Sequence, residues 1–566
     1  MNIAGDTLTS LLLQRWQEDP AQIALILQHA GQPDRPVTRQ ALLEAASAYA
    51  CALDAAGIRR GEVVVLILQH GIDLVAAFFG AMLHGAVPSI MPFLTEKLLP
   101  ERYRADLASL VSITRPAAIV TYGDFEREVH AALTAGGPAR AVLVSDPIPT
   151  MEGFDPSGWG GLGAAADDIV LLQHSSGTTG LQKGVALAHR PVINQLRHYA
   201  QAIELVPGDV VVSWLPLYHD MGLIAGFILP LLTGVRLVLM SPFDWVRAPQ
   251  RLLRAVSTYR GTLSWLPNFT YNFCAEKVRE RHLESIDLSS WRMVINCSEP
   301  VRASSHRLFY ERFAPYGLRQ AALAVSYAMA ENVFAVTQTP PGVTPLIERI
   351  DRERFQRDGV ALPASDERPA LEMVSCGPPV EETQVCVLDT AGQLLPERQV
   401  GELAVRSDCM LAGYYNRPDV TVQTLRDGWY LTGDYGYLAG GEVFVTGRKK
   451  DMIITGGRNI YPQDIEQLAG EVAGVHPGRV VAFGVFDETA GTEEVVLVGE
   501  VDAGAEERLR IAAEIRRHVT QGSAVALRQV HLVGRGWLVK TSSGKIARGA
   551  NREKWMGEEH QLTVEL

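Results

Sequence analysis

The sequence predicts an α/β protein. A large N-terminal region reads as mostly parallel sheets flanked by helices and ends in a small β-rich subdomain; a small α+β domain closes the chain. Three observations carry this reading. Val-, Ile- and Leu-rich strands alternate with helical stretches up to about Met373. Beyond it the strands shorten and Gly-rich turns separate them. A basic cluster at Gly447–Asp451 then precedes a terminal unit with helices and strands of its own. Parallel strands covered on both faces read as continuous apolar runs, which is the pattern seen here.

Taken in order, Arg39 to Ala56 has helical composition and stops near Gly57, Glu62–Leu68 is a buried strand, Leu74–Leu83 a helix and Val87–Met91 a strand. The grammar returns at Leu107–Thr114, Ala117–Thr121, Asp209–Ser213 and Gln250–Tyr259. Shorter strands follow at Gln384–Leu388, Gly401–Val405, Trp429–Thr432 and Glu442–Val445. The terminal unit has helices at Pro462–Leu468 and Glu507–Gln521 and strands at Arg479–Gly484 and Glu494–Val501. These set the expected domains at 1–446, with its β-rich part at about 380–446, and 447–566.

At ~150 residues per domain, 566 residues correspond to about four units, or one large domain with smaller ones. With 47% hydrophobic and 20% charged residues the chain has globular composition, not that of a disordered or collagen-like chain. Asp and Glu number 64 against 52 Lys and Arg, a net charge of −12, which argues against general nucleic-acid binding. Six scattered cysteines without a C-x-x-C pair point to a reducing, cytoplasmic setting and away from a structural zinc site or disulfide framework. The first residues carry Asp6, Glu18 and Asp19 and no basic leader, so no secretory signal is expected. The most membrane-like run, Met221–Met240, is divided by Pro230, Thr233, Gly234 and Arg236, and reads as buried helix, turn and strand rather than a span.

The most informative segment is Ser175-Ser-Gly-Thr-Thr-Gly-Leu-Gln-Lys-Gly184, between the strands Ile169–Gln173 and Val185–Leu187. Small hydroxyl residues and glycines let backbone N–H groups converge on a phosphate. It is not a Walker P-loop, because Lys183 is followed by Gly184. Taken alone, such a stretch is equally a mobile Ser/Gly loop. Further motifs follow it: Tyr327-Ala-Met-Ala-Glu331, Leu431-Thr-Gly-Asp-Tyr-Gly436, Gly447-Arg-Lys-Lys-Asp451 continuing through Gly456-Gly-Arg-Asn-Ile-Tyr-Pro462, and Lys540-Thr-Ser-Ser-Gly-Lys-Ile546.

Together, in this order and over nearly the whole chain, they resemble the signatures of the adenylate-forming superfamily of acyl-CoA synthetases, luciferase and peptide-synthetase adenylation domains. The resemblance implies ATP and Mg²⁺. It assigns the ATP phosphates to Ser175, Ser176, Gly177, Thr178, Thr179, Gly180 and Lys183, the cation to Glu331, and the adenine to Tyr327 and its neighbours Ala328 and Met329. It assigns the ribose to Asp434, ribose and phosphate to Arg448, and neutralisation of the reacting α-phosphate to Lys545, carried by a mobile C-terminal domain with a hinge at Lys450. Charge neutralisation and positioning are what the joining of two anions needs. Any one of these residues, met singly, would be surface or core.

The branch follows from Trp214-Leu-Pro-Leu-Tyr-His-Asp-Met-Gly-Leu-Ile224, Asn296-Cys-Ser-Glu-Pro-Val301, Met329-Ala-Glu331 and Val374-Ser-Cys-Gly377, which are most similar to fatty acyl-AMP ligases. That likeness implies His219 and Met221 at the acyl-carboxylate entrance, with His219 near the reacting carboxylate, Cys297, Ser298 and Glu299 on the adenine side, and Ile224, Phe227, Phe269 and Met329 along the acyl chain, each of these four being equally a generic core residue. Between Glu331 and Cys376 lie 44 residues, room for the branch's insertion within Leu346–Glu372, which is associated with transfer to an acyl carrier protein. Departures are Leu181-Gln182 before the loop lysine, Ala328 for Gly, Cys297-Ser298 for Gly-Ala, and Val539 for Pro; none removes a charged group. The expected activity is formation of acyl-AMP from a fatty or related acid, then transfer to the phosphopantetheine thiol of a carrier protein. Transfer to CoA and a non-catalytic nucleotide- or carrier-binding protein are the competing readings. Arg508, Arg510, Arg516 and Arg517 are candidate contacts for an acidic carrier, against the plainer reading of a solvated helix face.

Overall fold

The computed structural model describes residues 5–93, 100–133, 137–146, 156–175, 183–455, 458–488, 492–523, 525–541 and 545–564. The chain divides into two compact units. The first comprises Met1–Leu346, Cys376–Gln384 and Val405–Tyr430; the second comprises Ile347–Ser375, Val385–Ala404 and Leu431–Leu566.

The first unit holds two seven-stranded sheets. One runs, in spatial order, Leu323–Val325, Met293–Asn296, Leu263–Leu266, Val210–Ser213, Arg236–Met240, Ile23–Gln28 and Arg35–Thr38. All its neighbours are parallel except the last pair. The other runs Gly413–Tyr414, Lys183–Ala188, Ile169–Ser175, Val87–Ile90, Val63–Ile67, Ala118–Thr121 and Ala141–Val144. Its first two pairs are antiparallel and the rest parallel. Val63–Ile67 is buried at every position, as a strand covered on both faces must be. The helices Arg39–Ala55, Ile72–His84 and Gln250–Tyr259 lie where their composition predicts them.

The apolar run after Asp220 forms a wholly buried π-helical segment, Met221–Ile228, continued by Leu229–Thr233. Gly234 stops it in the left-handed conformation, φ 78°, and Arg236–Met240 follows as a strand. No described helix is long and apolar enough to cross a membrane.

The second unit has a three-stranded sheet of Val475–Asp487, Thr492–Val501 and Leu527–Val533. Side chains alternate across a strand, and here the two faces have separate partners. Val480, Ala482, Val495 and Leu497 pack under the helices Pro462–Gly470 and Ala505–Ser523 through Ile465, Ile511, Ile515 and Val519. Val481, Phe483, Val496 and Val498 pack against Trp555 of the final helix, Arg548–Val564. Within the same unit, Ile347–Asp351 and Ala370–Val374 form an antiparallel pair around the short helix Arg352–Asp358. Ile350 and Phe355 of this segment share a core with Tyr437, Phe444 and Tyr461. This is the stretch in which the resemblance to fatty acyl-AMP ligases implies an insertion.

Candidate active site

In a parallel sheet, the carboxyl ends of the strands are where ligands gather, because loops leave the sheet there. Four adjacent strands of the first sheet deliver the predicted residues to that edge. His219 lies beyond Val210–Ser213, Phe269 beyond Leu263–Leu266, Cys297 follows Met293–Asn296 directly, and Tyr327 comes just after Leu323–Val325.

Along this edge, Ser298 adopts φ +71°, a left-handed conformation uncommon for serine. Its hydroxyl donates toward Met221 Sδ at 3.7 Å and Cys297 Sγ at 3.8 Å, so the two motifs meet. Glu299 accepts from the Phe269 N–H at 3.0 Å, near the start of helix Asn268–Lys277. His219 Nδ1 lies 2.6 Å from Asp220 Oδ1. The angle makes no hydrogen bond, and Asp220 accepts instead from the Met221 N–H at 2.8 Å. Gly222 is forced: a Cβ there would stand 2.2 Å from the Pro216 carbonyl oxygen. π-Helical turns are rare and cluster at functional sites. Ile224 is buried, and Phe227 packs between Phe78 and Phe79 at 5.7 and 5.2 Å, a core position. Phe269 is 39% exposed and meets Trp214 and Trp245 edge-on.

The Tyr327–Thr337 stretch folds back on itself. Tyr327 is buried, its N–H donates to Thr337 Oγ1 at 3.2 Å and its carbonyl accepts from Val336 at 2.8 Å. Ala328 bridges to Ala335, and the Met329 N–H donates to the Phe334 carbonyl at 2.8 Å. Immediately after Glu331 the chain makes a γ-turn: Val333 has φ 60° and ψ −53°, with Phe334 donating to the Asn332 carbonyl at 2.6 Å. This turn is rare and strained, and costs about 1–3 kcal/mol. Surrounding bonds hold it. Gln195 Oε1 accepts from Phe334, the Asn332 amide donates to Ala335, Ser407 donates to Asn332 Oδ1, and the Leu411 N–H donates to the Glu331 carbonyl at 2.8 Å.

Glu331 is 9% exposed, and its Oε1 accepts from Tyr414 at 2.7 Å. Tyr414 is also 3.0 Å from the Tyr430 hydroxyl. Burial first, and then the Glu331 charge, push the Tyr430 phenol well above its ordinary pKa. Lys183 Nζ stands 5.2 Å over the Tyr414 ring, a cation–π contact. A loop lysine and an acidic side chain 148 positions apart in the chain are thereby joined through one tyrosine. Ser175 and Lys183 are register partners on antiparallel strands, so the ends of the Ser/Thr/Gly loop are adjacent. Ser176, Gly177, Thr178, Thr179 and Gly180, with the Ser175 side chain, lie outside the described residues.

In the second unit, Asp434 and Arg448 are cross-strand partners, and Arg448 Nε lies 2.7 Å from Asp434 Oδ1. The carboxylate is 9% exposed and the guanidinium 51%. Lys449 pairs with Glu402 at 2.7 Å, and Lys450 sits in the short turn Lys449–Asp451. Lys545 lies at the end of a loop closed on Thr541: the Thr541 N–H donates to the Lys545 carbonyl at 2.7 Å, and the Lys545 N–H to Thr541 Oγ1 at 3.2 Å. Three residues on, Arg548 spans Asp451 at 2.6 Å and Glu466 at 2.7 Å. Burial lowers its pKa, but these two carboxylates outweigh it and the net shift is upward. One guanidinium thus ties the lysine loop to the residue beside Lys450. Arg517 and Arg510 pair with Glu514 and Glu507 on their own helix, while Arg516 and Arg508 donate to backbone carbonyls.

Comparison with known proteins decides the family. Residues 12–415 match the profile of the AMP-binding enzymes. This chain is an AMP-binding enzyme. Within that family, the medium-chain-fatty-acid–[acyl-carrier-protein] ligase JamA of Moorena producens (strain JHB) is 33% identical over 97% of this chain and 95% of its own. The long-chain-fatty-acid–AMP ligase FadD32 of Mycobacterium marinum is 32% identical over 88% and 85%. Among solved structures, a fatty acyl-adenylate ligase from a study of the E. coli and L. pneumophila enzymes superposes with a TM-score of 0.89 at 28% identity, covering 99% of this chain and all of that one. This AMP-binding enzyme therefore has the adenylate-forming fold, belongs to the fatty acyl-AMP ligase branch and is an AMP-forming acid ligase. Sequence reasoning named Lys183 and Glu331 but missed Tyr414 and Tyr430, whose only signal is the run Gly413-Tyr-Tyr415 and a lone aromatic after Trp429.

Proposed function

We propose that this protein activates a fatty or related carboxylic acid with ATP to give acyl-AMP and pyrophosphate, and then passes the acyl group to the phosphopantetheine thiol of an acyl carrier protein. The observation that carries the reading is the Lys183–Tyr414–Glu331 arrangement, a cation and a carboxylate held at the root of the phosphate loop. The acid's oxygen attacks the α-phosphorus as the bond to pyrophosphate breaks, and the developing charge is the main barrier. The loop from Ser175 to Lys183 holds the β- and γ-phosphates. Tyr327, Ala328 and Met329 with Cys297, Ser298 and Glu299 border the adenine, Asp434 accepts from the ribose hydroxyls, and Arg448 reaches ribose and phosphate. Lys545 neutralises the α-phosphate and carboxylate oxygens. It belongs to a C-terminal domain, 447–566, that turns about Lys450 between the half-reactions.

Glu331 suits Mg²⁺, which takes hard oxygen ligands from one or two carboxylates plus substrate phosphates, and Tyr414 fixes its orientation. When bound there, Mg²⁺ supplies charge neutralisation on the phosphates. His219 and Met221 border the carboxylate entrance, and Ile224, Phe269 and Met329 border the acyl chain. The likeness to an acyl-carrier-protein ligase, 33% identical over 97% of this chain, supports the carrier reading over CoA. None of the six cysteines, all among the described residues, is in a disulfide, which supports a cytoplasmic setting.

The test is incubation with ATP, Mg²⁺ and a panel of acids, followed by CoA or holo carrier protein. Acyl-AMP, then acyl-carrier without acyl-CoA, is expected. Acyl-CoA turnover overturns the carrier assignment, and no acyl-AMP with any acid overturns the activity.

A further inference from the structure

We propose that His198, Asp408 and Cys409 form a binding site for a thiophilic divalent cation of the Zn²⁺ class, separate from the nucleotide machinery. Their donor atoms all lie within 4.8 Å of one another. His198 Nε2 is 3.1 Å from Asp408 Oδ2, and Cys409 Sγ is 3.2 Å from Asp408 Oδ1. Imidazole, carboxylate and thiolate are the Zn²⁺ donors, and bond lengths of about 2.0–2.3 Å set them roughly 3.3–3.8 Å apart in a tetrahedron. The two Asp408 contacts already stand close to that spacing, and no donor pair exceeds 4.8 Å. His198 and Cys409 are buried and fix two corners, while the exposed Asp408 already turns one carboxylate oxygen to each of them and supplies the third. A water completes the tetrahedron.

Two features beyond the triangle point to a metal. The other ring nitrogen of His198, Nδ1, faces Glu381 Oε2 at 3.4 Å. A carboxylate on the far side of a ligating imidazole holds its proton on Nδ1 and leaves Nε2 as the donor, the usual outer partner of zinc histidines. The loop is also docked where a ligand pair would need it: Asn194, one helical turn before His198, donates to the Asp408 carbonyl at 3.2 Å. On binding, the Cys409 thiol loses its proton to solvent, the sulfur–metal bond replaces the S–H bond, and no redox change occurs.

The site's position gives it a structural task. Cys409 donates its N–H to Ser407, Ser407 bonds Asn332, and Leu411 bonds the Glu331 carbonyl. A cation here would fasten the loop that backs the Glu331 turn. No local signal marks the site, because His198 stands 210 residues before Asp408 and no metal spacing links them.

The full chain, stripped with EDTA and without ATP, is titrated with Zn²⁺ alone and with Co²⁺ alone. One Zn²⁺ per chain retained through gel filtration and a thiolate-to-Co²⁺ charge-transfer band are expected. Cys409→Ser should abolish the band and Glu381→Gln should weaken Zn²⁺ about 10–100-fold, whereas Glu331→Gln should leave both intact. Wild-type protein that retains no Zn²⁺ or shows no sulfur band overturns the proposal. So does a band that persists in Cys409→Ser, which locates the metal on another cysteine. Circular dichroism confirms that the variants fold, and the outcome does not depend on the acyl-AMP activity.

Discussion

Tyr414 donates its hydroxyl to Glu331 while Lys183 rests over the face of the same ring. The side chain therefore orients the Glu331 carboxylate and supports the Lys183 ammonium at once. A hydrogen bond to a charged partner contributes about 1.5–3 kcal/mol. Tyr414→Phe keeps the ring and removes only the donor, so adenylation should fall roughly 10- to 100-fold. The loss should appear mainly as a higher Mg²⁺ requirement in a pyrophosphate-release assay. An unchanged Mg²⁺ profile would remove Tyr414 from the positioning of Glu331.

Lys545→Ala should lower acyl-AMP formation by roughly 10²–10³-fold, the effect of removing one donor to a developing oxyanion. ATP binding, followed by calorimetry, should hardly change. An undiminished rate would refute the role.

Arg548 bridges two carboxylates from inside the second unit. These side chains are 18–20% exposed, so removing the guanidinium costs less than in a fully buried ionic cluster, about 1.5–3 kcal/mol, the worth of its charge-assisted hydrogen bonds. Arg548→Met should lower the urea midpoint of the transition that reports this unit, followed through Trp555 fluorescence. Arg510→Ala, whose Glu507 contact is exposed, should shift it by ~0.5 kcal/mol at most.

Burial pushes the pKa of five histidines downward, His84 among them, and four by a wide margin: His70, to about 3, and His174, His189 and His306, each to about 4. Unfolded, each takes a proton near pH 6.5; folded, each resists it until well below that. Between pH 6.5 and about 4 the unfolded chain binds more protons, so stability is full above pH 6.5 and falls as the pH drops, by up to ~1.4 kcal/mol per pH unit per histidine. Urea midpoints from pH 7.5 to 5 should show this decline. His306→Gln should flatten it, and an equal slope in the variant would exclude His306 as a contributor.

Sheet strands were legible in the sequence because burial on both faces leaves an unbroken apolar run, as in Val63–Ile67. Helix ends near Gly57 and Gly234 were legible for a similarly local reason. The charged motif residues stood out because each sits in a fixed spacing. What escaped was set by contacts between distant segments. Tyr414 meets Glu331 across 83 positions, the γ-turn at Val333 depends on Gln195, Ser407 and Leu411, and the π-helical winding of Met221–Ile228 depends on what packs around it. The opening strand Ile23–Gln28 joins the sheet beside Arg236–Met240, a pairing no local pattern encodes.

The close approach of Gly222 to Pro216 has a practical corollary for engineering chain-length preference. A library that randomises the acyl-side motif would spend most of its members on unfolded protein if position 222 were included, since even alanine collides with main-chain oxygen there. Diversity belongs at Met221, which is proposed to border the carboxylate entrance and whose thioether lies 3.7 Å from the Ser298 hydroxyl. Gly222→Ala should yield little soluble enzyme, and changes at Met221 should redistribute turnover among acids, read with a panel of chain lengths.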